Sequence, residues 1–128
     1  MTPYHHAVSS AKKWGGSPFD YIEIHIWFDA SKAHYPDMRH RALRHHSAGI
    51  AECATVFGEV IHVGDKDVPV RLIGEQHVKE DCGFIPTLKD WLQHIEVQPW
   101  MTKVAVKATD VEKMPDHKQK GGEENWLD

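Results

Sequence analysis

Glycine and proline divide this chain into separate helical segments and a hairpin. Gly15-Gly16 closes a first helical segment, residues 5–14, because glycine reaches the left-handed backbone region that stops a helix. Ser17-Pro18 restarts one: serine caps, proline suits the first helical position, and Asp20 complements the helix dipole. Tyr21, Ile24, His25, Phe28 and Lys32 then recur at helical period. Pro36 disfavours a helical Tyr35, so a break is expected there, followed by a second and longer helix that runs to Gly58. Met38, Ala42, His45, Gly49, Cys53, Val56 and Phe57 form the apolar stripe of that helix, with His40, Arg41 and Arg44 facing the other way.

Residues 59–63 and 68–73 are β-prone runs around Gly64-Asp65-Lys66-Asp67, which predicts a hairpin. A short helix over 75–82 is closed by Gly83, and Thr87 with Asp90 caps another over 88–95. Pro99 stops continuation, and a weakly alternating run over 102–106 could add a strand. The expected fold class is α+β: a helix-dominated single domain, residues 1–111, with a small antiparallel β-hairpin. Residues 112–128, rich in Lys, Glu, Asp and Gly, are expected to form a mobile charged tail in which Trp126-Leu127 is the one apolar anchor.

A length of 128 residues, with 41% hydrophobic and 27% charged, suits one soluble globular domain and excludes a wholly disordered chain. Two cysteines, Cys53 and Cys82, without C-x-x-C spacing, argue against a disulfide scaffold. No apolar run approaches the roughly 18 residues of a membrane span, and the opening residues carry no secretory signature, so a cytoplasmic protein is the expectation. Nucleotide-loop, zincin and EF-hand patterns are absent from the sequence.

The outlying number is eleven histidines, which make a chain of formal charge −4 strongly pH-responsive. His25 and Asp29 are four apart on one expected helix, and His77 and Asp81 four apart on another, a spacing that brings an imidazole and a carboxylate to one face. His45 falls in the apolar stripe, so it points inward and can approach His25. Buried imidazoles must be satisfied by a metal, a carboxylate or a carbonyl. His25, Asp29, His45, His77 and Asp81 are therefore the candidate ligands of a divalent metal ion, with Zn²⁺ the first choice for this donor set. Arg41 and Arg44, beside Arg39, His40 and His46, are candidate phosphate-binding groups. The cluster lacks interleaved aromatics, so nucleic acid is not favoured as a partner. Burial of His45 would hold it neutral and make the fold less stable below about pH 6.5, unless Asp29 lies against it.

The runs H-x-W-F-D-x-S-K-A-H, D-x-R-H-R-A-L-R-H-H, G-E-Q-H-V-x-E-D and I-P-T-x-x-D-W-L resemble a family of small uncharacterised domains encoded by bacteria and bacteriophages, over about residues 5–101. The resemblance implies a compact, mostly helical domain and a bacterial or phage origin, and brings no activity. Two functions are thus expected to compete. One is a His/carboxylate metal site, used for metal-assisted phosphoester hydrolysis if it is catalytic. The other is a non-catalytic accessory or interaction protein whose histidines are structural and which can homo-oligomerise.

Overall fold

Thr2 begins the first helix, α1 (Pro3–Trp14): its side chain accepts from the His5 amide, and Pro3 stands where no amide proton is needed. The computed structural model describes residues 1–102, in which Met1–His94 form one unit and Ile95 onward belong to a second. A 3-10 turn, Pro18–Asp20, follows α1 through the expected Ser17/Asp20 capping box and leads into α2 (Ile22–Asp29). Tyr21, Ile24, His25 and Phe28 are buried as their spacing predicts, whereas Lys32 is exposed.

The long helix expected from Pro36 to Gly58 is not continuous. A 3-10 turn at Met38–Leu43 is followed by a bend at residues 44–46, and α3 starts only at Ser47–Phe57. The reason is tertiary. Chain folding back before α3 puts the Arg44 carbonyl 1.9 Å from where a Cβ on Gly49 would sit, and the Ser47 amide donates to Pro86 O. His46 caps the new helix by accepting from the Gly49 amide at Nδ1, while its Nε2 donates to Ala42 O. With three residues per turn upstream of the bend, Met38 is exposed and His40 is buried, the reverse of the expected stripe.

The hairpin forms from β1 (Val60–Val63) and β2 (Lys66–Pro69), antiparallel with Val60 opposite Pro69 and Val63 opposite Lys66. Its second strand ends earlier than expected. Pro69 has no amide for a ladder, and Val70, whose amide donates to Glu59 O, instead opens α4 (Val70–Cys82). Val70, Ile73, Gly74, His77 and Val78 form the buried face of α4, and Gly83 closes it at φ +83°. The Thr87/Asp90 capping box is present, but α5 is a single turn, Leu88–Leu92. In the second unit, Pro99–Met101 form a 3-10 turn; the expected strand over 102–106 beyond its first residue, the boundary at 111 and the tail lie outside the described residues.

The α+β class is thus borne out, and α1, α2, α3 and α4 pack on one another. No described helix is long and apolar enough to cross a membrane. The interior is unusual in composition. Tyr21, Ile24, Phe28, Ile50, Val70, Ile73 and Val78 are buried together with six histidines among the described residues: His6, His25, His40, His45, His46 and His77.

The contact at Gly49 gives a direct test. Replacing it with alanine drives a Cβ into backbone that cannot swing away, so Gly49→Ala is expected to lose about 3 kcal/mol or more in denaturant melts. A loss below about 0.5 kcal/mol would show that the bend at 44–46 is not a packed feature of the fold.

Candidate metal centre

Three helices each contribute a polar pair at i, i+4 spacing to a common interior. From α1 come His6 and Ser10, from α2 His25 and Asp29, and from α4 His77 and Asp81, while the bend before α3 adds His45. Such pairs lie one turn apart on a single face, so the helices need only pack face to face for the pairs to meet.

Asp81 is the hub, with a side chain 2% exposed. Its Oδ2 lies 3.0 Å from His45 Nε2 and 3.1 Å from His77 Nε2, and its Oδ1 lies 3.1 Å from His6 Nε2. Asp29 stands opposite, with Oδ1 3.3 Å from His77 Nε2 and 3.5 Å from His45 Nε2. His6, Asp29, His77 and Asp81 each offer one ligand atom within 4.8 Å of the others, so this set can hold a metal ion; His6, His25 and His77 form a second, overlapping group. Ligand atoms about 2.0–2.2 Å from a divalent ion stand roughly 3–3.5 Å apart, the range of these contacts.

Two of the rings are already oriented on their far sides. Glu80 Oε1 sits 2.7 Å from His6 Nδ1, and that carboxylate is held by Ser9 Oγ and by Gln76 Nε2. Carboxylates accept only, so His6 donates from Nδ1 to Glu80 and, without a metal, from Nε2 to Asp81; a metal in place of the second proton would complete a carboxylate–histidine–metal arrangement. His77 Nδ1 lies 2.9 Å from His25 Nδ1, and His25 Nε2 lies 2.8 Å from Ser10 Oγ. His45 differs: its Nδ1 is buried with no hydrogen-bond partner among the described residues.

The electrostatics follow from two carboxylates in the interior. Burial alone would raise Asp81 and Asp29, but imidazole hydrogen bonds, from His45, His6 and His77 to Asp81 and from His45 and His77 to Asp29, hold both well below the usual carboxylate range. Burial lowers His6 and His45, yet the carboxylates outweigh it and raise both, Asp81 and Glu80 acting on His6, Asp29 and Asp81 on His45. The expectation that burial would depress His45 is therefore overturned. His25, without a carboxylate in contact, is pushed down to about 3 by burial and by the His77 and His6 rings.

All five expected ligands, His25, Asp29, His45, His77 and Asp81, are thus brought to one interior region. Sequence reasoning missed His6, Ser10 and Gln76; Glu80, three residues from His77, was expected as a further ligand or general base and is instead the partner of His6 Nδ1. The signals were the His6/Ser10 and Gln76/Glu80 spacings of four. Arg41 and Arg44 are occupied within the fold. Arg41 Nη1 donates to Asp81 O, and Arg44 Nη1 donates to Trp27 O with its guanidinium 4.0 Å from the Trp27 ring centre.

A family model described as Domain of unknown function (DUF6915) matches residues 1–101, and the chain belongs to that family. No curated protein and no solved structure matches the chain.

The titrations have a readable sign. The folded value of His25 lies below its unfolded value of about 6.5, so the unfolded chain takes up a proton first as pH falls and the fold loses stability from about pH 6.5 down to about 3. The raised His6 and His45 act oppositely: their contribution is full below about pH 6.5 and is lost as pH rises through their folded values. In metal-free protein, His25→Gln is expected to remove an acid slope of up to about 1.4 kcal/mol per pH unit between pH 6 and 4. Denaturant melts in chelator across that range measure it, and an unaltered slope would exclude His25 as the group responsible.

Proposed function

We propose that this member of the family binds one divalent cation, Zn²⁺ by preference, through His6 Nε2, His77 Nε2, Asp29 and Asp81. The observation that carries this reading is the set of four donor side chains converging within 4.8 Å, two of them imidazoles whose Nδ1 atoms already have partners. Two carboxylates balance the charge of one divalent ion, so the buried centre is neutral when filled. In the metal-free protein the same carboxylates shift His6 and His45 toward their protonated forms. Binding therefore releases protons, and affinity falls as pH drops.

His45 serves this centre better as a hydrogen-bond donor than as a ligand. Coordination through Nε2 would force its proton onto Nδ1, where no acceptor lies among the described residues, at a cost of about 1–3 kcal/mol. With the proton on Nε2 it donates to Asp81 Oδ2, and the atom left unpaired is an acceptor and not an N–H.

Four protein ligands in an enclosed site favour a structural ion, one that fixes α1, α2 and α4 together in an accessory or interaction domain of a bacterium or phage. Metal-assisted phosphoester hydrolysis is the second reading. In its favour, Asp29 keeps a side-chain exposure of 10% and Arg41 flanks Asp81. Against it, the Arg44 guanidinium is engaged with Trp27.

Metal analysis of protein purified without an affinity tag is expected to find about one equivalent of a divalent ion, and Zn²⁺ at 100 times its Kd should stabilise the stripped protein by about 2.7 kcal/mol. Asp81→Asn and His77→Gln should each abolish stoichiometric binding. Less than about a tenth of an equivalent, with no stabilisation on adding Zn²⁺, Mn²⁺ or Fe²⁺, would overturn the reading.

A further inference from the structure

A chain of buried hydrogen bonds joins α4, α1 and α2, and its direction can be deduced from donor and acceptor chemistry alone. Gln76 Nε2 donates to His6 O at 3.0 Å and to Glu80 Oε1 at 2.9 Å, so the amide oxygen is the end that faces Ser10. Ser10 Oγ stands 2.6 Å from that oxygen and must donate to it, since a carbonyl has no proton to give. Its other contact outside the rings, His6 O at 3.2 Å, is an acceptor as well. With its one proton directed at carbonyls, Ser10 Oγ accepts from His25 Nε2. His25 is then the Nε2–H tautomer, and its Nδ1 bears a lone pair. His77 Nδ1, 2.9 Å away, has to be the donor of that contact. His77 Nε2 faces the acceptors Asp29 Oδ1 and Asp81 Oδ2, to which it donates without a metal, and a metal that displaces that proton meets the Nε2 lone pair of a ring still protonated on Nδ1.

We infer that Gln76, Ser10 and His25 are positioning residues whose hydrogen-bond chain fixes His77 as the Nδ1–H tautomer and so presents its Nε2 lone pair to the metal. This rests on the metal reading above and gives His25 a role other than ligand. The competing group, His6, His25 and His77, has no carboxylate among its ligands and would use His25, whose Nδ1 is paired with His77. The relay needs no partner beyond residues already buried: Ser10 and His25 are fully enclosed, and Gln76 nearly so. It also explains why a serine lies on the buried face of α1, where an alanine would pack equally well.

Three variants and one spectroscopic measurement test the inference. His25→Gln keeps a carbonyl able to accept from His77 Nδ1–H and is expected to hold Zn²⁺ affinity within about threefold of wild type, with the Co²⁺-substituted visible spectrum unchanged; His25→Leu, which offers no acceptor, should weaken binding by about 10–100-fold. Ser10→Ala should weaken it over the same range, because the His25 proton then loses its acceptor. If His25→Gln loses as much affinity as His77→Gln and shifts the Co²⁺ spectrum, His25 is a ligand and the inference fails. It fails equally if His25→Leu binds like wild type. In metal-free wild-type protein, ¹⁵N spectra of the histidine rings should show a nitrogen–nitrogen coupling across the His25/His77 hydrogen bond with the proton on His77 Nδ1. A proton on His25 Nδ1 would overturn the relay even if a variant does not fold. A wild-type protein that binds no metal but shows this coupling would sink the metal reading while leaving the deduced direction of the chain standing.

Discussion

The carboxylate of Asp81, almost wholly removed from water, is the constraint on which the rest of the interior depends. An isolated carboxylate there costs several kcal/mol, and the fold offsets it with three imidazole contacts and a guanidinium at 3.7 Å. Each partner comes from a different part of the chain: His6 from α1, His45 from the bend before α3, and His77 from one turn earlier on α4. Satisfying one oxygen pair therefore fixes the mutual placement of the elements. An aliphatic side chain at position 81 would ask for none of this, and would leave His6, His45 and His77 each without that acceptor.

The apolar part of the core is built around the same demand. Phe28 stacks on His77 with ring centres 4.8 Å apart and meets His45 edge-on at 5.8 Å, so one aromatic wall closes the polar cluster off from Ile50 and Ile73. Gly74 makes room for that wall. A Cβ there would stand 3.1 Å from Phe28 Cζ and 3.4 Å from Ile50 Cγ2. The cation–π contact of Arg44 on Trp27, with the hydrogen bond to the Trp27 carbonyl, ties the bend at 44–46 to the end of α2. That bend carries His45 to Asp81, so a surface-type residue has become part of what positions the centre.

Much of the site was legible because helices place i and i+4 side by side wherever they are packed. His25 with Asp29, and His77 with Asp81, follow from that rule and needed no tertiary knowledge. His45 was expected inside for a reason that does not hold: the helix stripe that put it there is interrupted, and its burial comes from the bend. His6 was passed over because an N-terminal histidine gives no local sign of facing the core, although Ser10 four residues on shares its face. His40 was assigned to solvent by counting at 3.6 residues per turn through a stretch that winds at three.

What the sequence by itself determined was local: the stops at Gly15 and Gly83, the capping boxes at Ser17/Asp20 and Thr87/Asp90, the hairpin turn, and the imidazole–carboxylate pairs on single helices. These depend on backbone sterics and hydrogen bonds within a few residues, which the order of side chains dictates directly. Only the tertiary structure decided that α3 starts after a bend, that Val70 leaves the sheet, and that a carboxylate pair raises His45 where burial alone would lower it. It also decided which group each ring nitrogen meets. Those outcomes turn on groups dozens of residues apart meeting within hydrogen-bond distance, and the energy of such a contact has no counterpart in any stretch of neighbouring residues.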